Sequence, residues 1–161
     1  MIHLVPMTQT EFDKFLSAEI EEYAQEHVKA GNWHPDEAIR LSKEEHDKLL
    51  PNGLASPNQY LYSIQETDSG SNIGMIWFAS QQQGLKHYAF IYDFRIDEAR
   101  RGKGYGKQAL LAVEEKVRVL GLDTISLHVF GHNQVAQSLY EKIGYEVTNV
   151  LMSKKLTHDT A

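Results

Sequence analysis

The spacing of apolar residues changes twice along the chain. Between Thr8 and Gly31, Phe12, Phe15, Leu16, Ile20 and Tyr23 recur at three- and four-residue intervals, which gathers them on one side of a helix. Thr8 and Glu11 have the spacing of a capping box, so a helix is predicted over 9–30 after a short strand, Ile2 to Val5, that Pro6 ends. Pro35 followed by Asp36 and Glu37 suits a first helical turn, and Ser42 to Glu45 repeats the capping-box spacing. One broken helix or two short ones are therefore expected over 35–50, closed by Pro51-Asn52-Gly53.

From Gln59 the period becomes two. Tyr60, Tyr62 and Ile64 alternate with other residues, Asp68 to Asn72 makes a turn, and Ile73 to Ala79 reads as the returning strand. A turn at Gln81 to Gly84 leads to a third strand, His87 to Ile96, rich in aromatic and branched residues. Helical spacing then returns over Gly104 to Leu120, followed by a strand at Thr124 to Phe130, a helix at Asn133 to Ile143 and a last strand at Tyr145 to Lys154. Beyond Leu156 the residues are polar and a frayed end is expected. The order β-α-α-β-β-β-α-β-α-β calls for an α+β fold, a mixed and mostly antiparallel sheet of six to seven strands with four helices, in one domain over 1–161.

Composition narrows the chemistry. With 22 acidic and 16 basic residues the formal charge is −6, which argues against a nucleic-acid-binding surface. The absence of cysteine excludes disulfides, thiolate metal sites and a cysteine nucleophile; no metal is expected. No secretory leader and no membrane-spanning run is legible, so a cytoplasmic protein without a membrane partner is expected.

One segment departs from the acidic background. Asp97 to Lys107 lies between a strand and a helix and holds Gly102, Gly104 and Gly106 together with Arg100, Arg101, Lys103 and Lys107. Glycines let backbone approach a ligand, and the following helix aims unpaired amides at the loop, so the segment reads as a phosphate site. The alternative is a turn whose lysines simply face water. The G-x-G-x-G spacing is not the dinucleotide fingerprint, and Gln108 after Gly106-Lys107 rules out the nucleotide P-loop.

Arg101-x-x-Gly104-x-Gly106 resembles the R/Q-x-x-G-x-G/A signature of the Gcn5-related N-acetyltransferase (GNAT) superfamily. Asn133 to Tyr145 resembles that family's second motif, N-x-x-A-x-x-L-Y-x-K-x-G-F/Y. The resemblance implies an acetyl-CoA-dependent N-acetyltransferase that moves an acetyl group to a primary amine by direct attack in a ternary complex. A non-catalytic CoA-binding module is the alternative. Acetyl-CoA and an amine acceptor are the implied partners, and a homodimer is left open.

By the same resemblance, the coenzyme enters where the strands of 87–96 and 124–130 splay. Its pantetheine arm would pair with backbone at Phe94, Arg95 and Ile96, and its diphosphate would rest on Arg101, Gly102, Lys103, Gly104, Tyr105, Gly106 and Lys107. Asn133 matches the asparagine that bonds the arm, or else caps its helix. Tyr140 matches the tyrosine placed near the coenzyme sulfur, where a phenol can protonate a thiolate; alternatively it is a core tyrosine. For removing the amine's proton the candidates are His128, in the centre of Leu127-His128-Val129 where some relatives carry an acid, Asp93 with Tyr92 on the neighbouring strand, and water relayed from Asp93 or Glu98. Trp33 and His34 either line an acceptor pocket or pack between helices.

Overall fold

The computed structural model describes residues 1–157; the expected frayed end beyond Leu156 lies largely outside the described residues. The elements are β1 (Ile2–Pro6), α1 (Gln9–Lys29), α2 (Pro35–Leu49), β2 (Gln59–Glu66), β3 (Asn72–Gln83), β4 (Lys86–Ile96), α3 (Tyr105–Val119), β5 (Ile125–Leu127) and α4 (Gln134–Lys142). They gather into two compact units, residues 1–128 and the chain from Val129 onward.

The start of α1 follows its sequence signal. The Thr8 hydroxyl accepts from Glu11 N–H at 3.2 Å and the Glu11 carboxylate accepts from Thr8 N–H at 2.8 Å, so the reciprocal cap forms. Such a cap contributes about 1 kcal/mol. In contrast, α2 runs unbroken through Ser42. Its hydroxyl is fully buried and donates to Ile20 O at 2.7 Å, which ties α2 to α1. A serine used for tertiary contact is not available to restart a helix, hence one helix rather than a broken one.

The sheet of the first unit has the order β1-β2-β3-β4-β5. The first three pairings are antiparallel and the last is parallel. Partners in register share a face, so Leu61 and Trp77 lie together, as do Tyr62 and Ile76. Leu61, Met75 and Trp77 join Met7, Phe12 and Leu50 in one buried cluster, against which Phe15 and Leu16 of α1 and Tyr92 of β4 pack. On the opposite face α3 buries Ala109, Leu110, Val113 and Val117, and Lys116 sits over the Tyr62 ring at 5.3 Å. Removing these side chains from water is the main term holding the layers together.

Two strand expectations are corrected. The parallel strand covers only Ile125–Leu127, shorter than 124–130, and Tyr145 to Lys154 forms no strand, so the described sheet has five strands instead of six or seven. The cause is pairing. Val147, Val150, Leu151 and Met152 have strand-like chemistry but stand exposed, and their backbone joins no ladder among the described residues. Propensity alone does not make a strand without a neighbour to receive its amides. β3 also runs further than expected, to Gln83, and the turn falls at Gly84 with φ +61°.

Candidate active site

The site is organised by an interruption in β4. Trp77 faces Asp93 and the next β3 residue, Phe78, faces Ile91, so Tyr92 is an extra residue, a bulge. A bulge bends and twists its strand. β5 pairs with β4 only at Ala89, Phe90 and Ile91. From Tyr92 to Ile96, then, β4 continues along β3 while its other edge has no strand beside it among the described residues. That stretch contains Phe94, Arg95 and Ile96.

β4 leads directly into the basic, glycine-rich segment. Gly102 and Gly104 have φ of +79° and +80°, backbone that a side chain disfavours. The first helical bond of α3 runs from Gln108 N–H to Gly104 O at 3.2 Å. Tyr105, Gly106 and Lys107 therefore precede any intrahelical acceptor, and Gly104 brings no side chain to cap them. Amides in this position, with the positive end of the α3 dipole behind them, are suited to cradle an anion.

The four cations around this cradle are not equivalent. The Arg101 Nε donates to Ile96 O at 2.8 Å, and Arg100 Nη1 lies 3.3 Å from Glu66 Oε2. Both arginines are thus fixed to the framework, whereas Lys103 and Lys107 are exposed.

On the α1 side of β4, the structure brings together a group that sequence reading saw only in part. Arg95 Nη2 lies 3.1 Å from Asp93 Oδ2, 3.2 Å from Glu19 Oε2 and 3.0 Å from Glu22 Oε2. Glu19 and Asp93 also share a side-chain hydrogen bond. Burial, then that bond and the Asp93 charge, push the Glu19 carboxyl up to about 9, so near neutrality it holds a proton and donates to Asp93. The Arg95 guanidinium is consequently committed to carboxylates. Glu19 and Glu22 were missed because they sit in a helix rich in acids; the i, i+3 spacing on the Phe15–Leu16 side was the available signal.

Glu19 carries a stability prediction. Its folded pKa lies above the unfolded value of 4.5, so the folded chain binds the extra proton between pH 4.5 and about 9. Stability falls as pH rises through that window. Glu19→Gln, which still donates to Asp93, is expected to raise the melting temperature by about 3–8 °C at pH 8 and to leave it nearly unchanged at pH 4.5. Melting curves across pH check this; equal curves at pH 8 would contradict it.

His128 comes one residue after the end of β5 and is exposed. Tyr92 stacks on Trp77 at 4.7 Å, and its hydroxyl accepts from Gln81 Nε2 at 2.6 Å. Trp33 stacks on His27 at 4.0 Å, and His34 Nδ1 accepts from Asp36 N–H at 3.3 Å as the cap of α2. In the second unit Asn133 Oδ1 accepts from Ala136 N–H at 3.3 Å, capping α4, and Tyr140 meets the Tyr145 ring at 5.7 Å.

Comparison with known proteins decides the family. Residues 16–145 match the family model "Acetyltransferase (GNAT) family". The chain belongs to the GNAT acetyltransferases. It is 44% identical to the uncharacterized N-acetyltransferase YycN of Bacillus subtilis, over 96% of this chain and 99% of that one. Against the uncharacterized N-acetyltransferase YdgE of the same organism it is 37% identical, over 95% and 97%. The crystal structure of YycN superimposes with a TM-score of 0.86, covering 98% of this chain and 100% of that one. AAC(6')-Iy, solved with the bisubstrate analogue CoA-S-monomethyl-acetylneamine, shares the fold at 16% identity and a TM-score of 0.61, covering 98% and 99%. The protein is an N-acetyltransferase of a family that uses acetyl-CoA.

Proposed function

We propose that the protein transfers the acetyl group of acetyl-CoA to a primary amine of a small molecule or protein, by direct attack in a ternary complex. The observation that carries this reading is the continuity of two features: β4 has an open edge from Tyr92 to Ile96, and it runs straight into the amide cradle before α3. An extended pantetheine arm would run along the outer edge of β4 at Phe94, Arg95 and Ile96 as an added strand, and a diphosphate would meet the amides of Arg101 to Lys107. The CoA analogue held by AAC(6')-Iy, a protein of the same fold, supports the reading. The family match spans both units, which supports treating 1–161 as one domain. The lack of a membrane-crossing helix among the described residues accords with a cytoplasmic enzyme.

The chemistry divides among this chain's residues. An acceptor ammonium must first lose a proton, and we assign that step to Asp93, which follows the bulge where β4 parts from β5, rather than to His128 beyond the end of β5. The freed lone pair forms the C–N bond and the C–S bond breaks. The departing sulfur takes a proton from the hydroxyl of Tyr140, which recovers one from the amide nitrogen through solvent. Asn133, through its side-chain amide, is assigned to the pantetheine arm.

The test is coenzyme A release over a panel of amines. Amine-dependent release is expected, and Tyr140→Phe should lower turnover by about 10²-fold with acetyl-CoA affinity unchanged. No release with any amine would contradict the transfer reading, and equal turnover in the variant would remove Tyr140 as the acid.

A further inference from the structure

The hairpin between β2 and β3 reaches the basic loop although it is far from it in sequence. Glu66, the last residue of β2, is held by its own backbone: its N–H donates to Ser71 O at 3.0 Å and its carbonyl accepts from Gly70 N–H at 2.9 Å. Its carboxylate therefore projects from a fixed turn. Oε1 accepts from the Ser69 hydroxyl at 2.9 Å. Oε2 accepts from Arg100 Nη1 at 3.3 Å and from the hydroxyl of Tyr105.

Those two donors flank the loop. Arg100 precedes it, Tyr105 is the first residue of α3, and between them stand only Arg101, Gly102, Lys103 and Gly104. One carboxylate oxygen thus grips both ends of a turn that contains two left-handed glycines. A carboxylate beside a polyanion site is electrostatically adverse, and this one also neutralises a cation that could meet phosphate. Such an arrangement makes sense if the carboxylate acts on the shape of the loop.

We propose that Glu66 is a positioning residue for acetyl-CoA: by clamping Arg100 and Tyr105 it holds the amides of the Arg101–Lys107 segment ready for the diphosphate before the coenzyme arrives. The inference rests on the coenzyme reading above. Pre-arranged donors bind without the ordering cost that a loose loop would incur. The Tyr105 hydrogen bond, with further donation from Ser69, holds the Glu66 carboxyl below the usual carboxylate range, so the clamp is ionised at neutral pH. The clamp is not what secures α3. That helix is anchored by Ala109, Leu110, Val113 and Val117, and the end of β4 is tied separately by Arg101 to Ile96 O.

The sign of the effect separates the alternatives. Calorimetric titration of coenzyme A into Glu66→Ala is expected to show affinity roughly tenfold weaker than wild type. Dephospho-coenzyme A, which keeps the diphosphate, should show the same loss. In an assay with a found acceptor, KM for acetyl-CoA rises and kcat stays within about twofold. If Glu66 were only a nearby negative charge, removing it would tighten binding of a polyanion; equal or tighter binding overturns the proposal. A loss restricted to coenzyme A, absent with dephospho-coenzyme A, overturns it as well. Should Glu66→Ala not fold, Tyr105→Phe removes one clamp bond by a single oxygen atom, and a weakening of about threefold is expected in its place; unchanged binding there counts against the proposal. If wild type itself binds no coenzyme A, the coenzyme reading fails first, a result distinct from wild type binding normally and the variants matching it.

Discussion

Asp93→Asn is expected to reduce turnover by about 10²- to 10³-fold while coenzyme A binds as tightly as in wild type. Asp93 follows the Tyr92 bulge, faces α1, and is held by Arg95 at 3.1 Å and by its hydrogen bond with Glu19. Asparagine keeps the shape but cannot accept a proton from the acceptor amine. Its effect should therefore fall on the chemical step and spare the cradle, which lies on other residues. Steady-state kinetics and calorimetry on the same preparation separate the two, and turnover near wild type would return the proton-accepting role to His128 or to water.

Gly104→Val should have a comparably large effect on the other half of the site. Gly104 has φ +80° and directly precedes the amides of Tyr105, Gly106 and Lys107. A Cβ there meets no atom within 4 Å, so the difficulty is backbone conformation rather than crowding. A β-branched residue resists left-handed backbone, and the strain of about 1–3 kcal/mol is relieved by turning the loop out of the cradle geometry. Coenzyme affinity is expected to fall by about 10²-fold. Gly121→Val, at φ +80° after the far end of α3, carries similar backbone strain away from the loop. It should lower the melting temperature and leave coenzyme affinity alone. Equal losses of affinity in both variants would mean that global destabilisation, not loop shape, is responsible.

The sequence was most legible where local chemistry decides structure. The Thr8 cap and the helical face of Phe12, Phe15 and Leu16 both follow from neighbouring residues. The paired motifs around Gly104 and Asn133 were enough to place the chain in its family. What escaped was set by partners distant in the chain. Ser42 looked like a cap and is spent on Ile20, and Tyr145 to Lys154 looked like a strand and joins no ladder among the described residues. The bulge at Tyr92 leaves no mark in hydrophobic spacing, because it is set by how β4 pairs with β3. Glu19 and Glu66 are ordinary surface acids by composition. Only the fold shows that one meets Asp93 and Arg95 and the other Arg100 and Tyr105.

Where the coenzyme's diphosphate is held is read directly by amide-resolved NMR. Adding coenzyme A to ¹⁵N-labelled protein should shift the amide signals of Gly102, Gly104, Tyr105, Gly106 and Lys107 in a saturable way, with smaller changes at Phe94 and Ile96 on the open edge of β4. Saturable binding that leaves the 102–107 amides unmoved would contradict that placement.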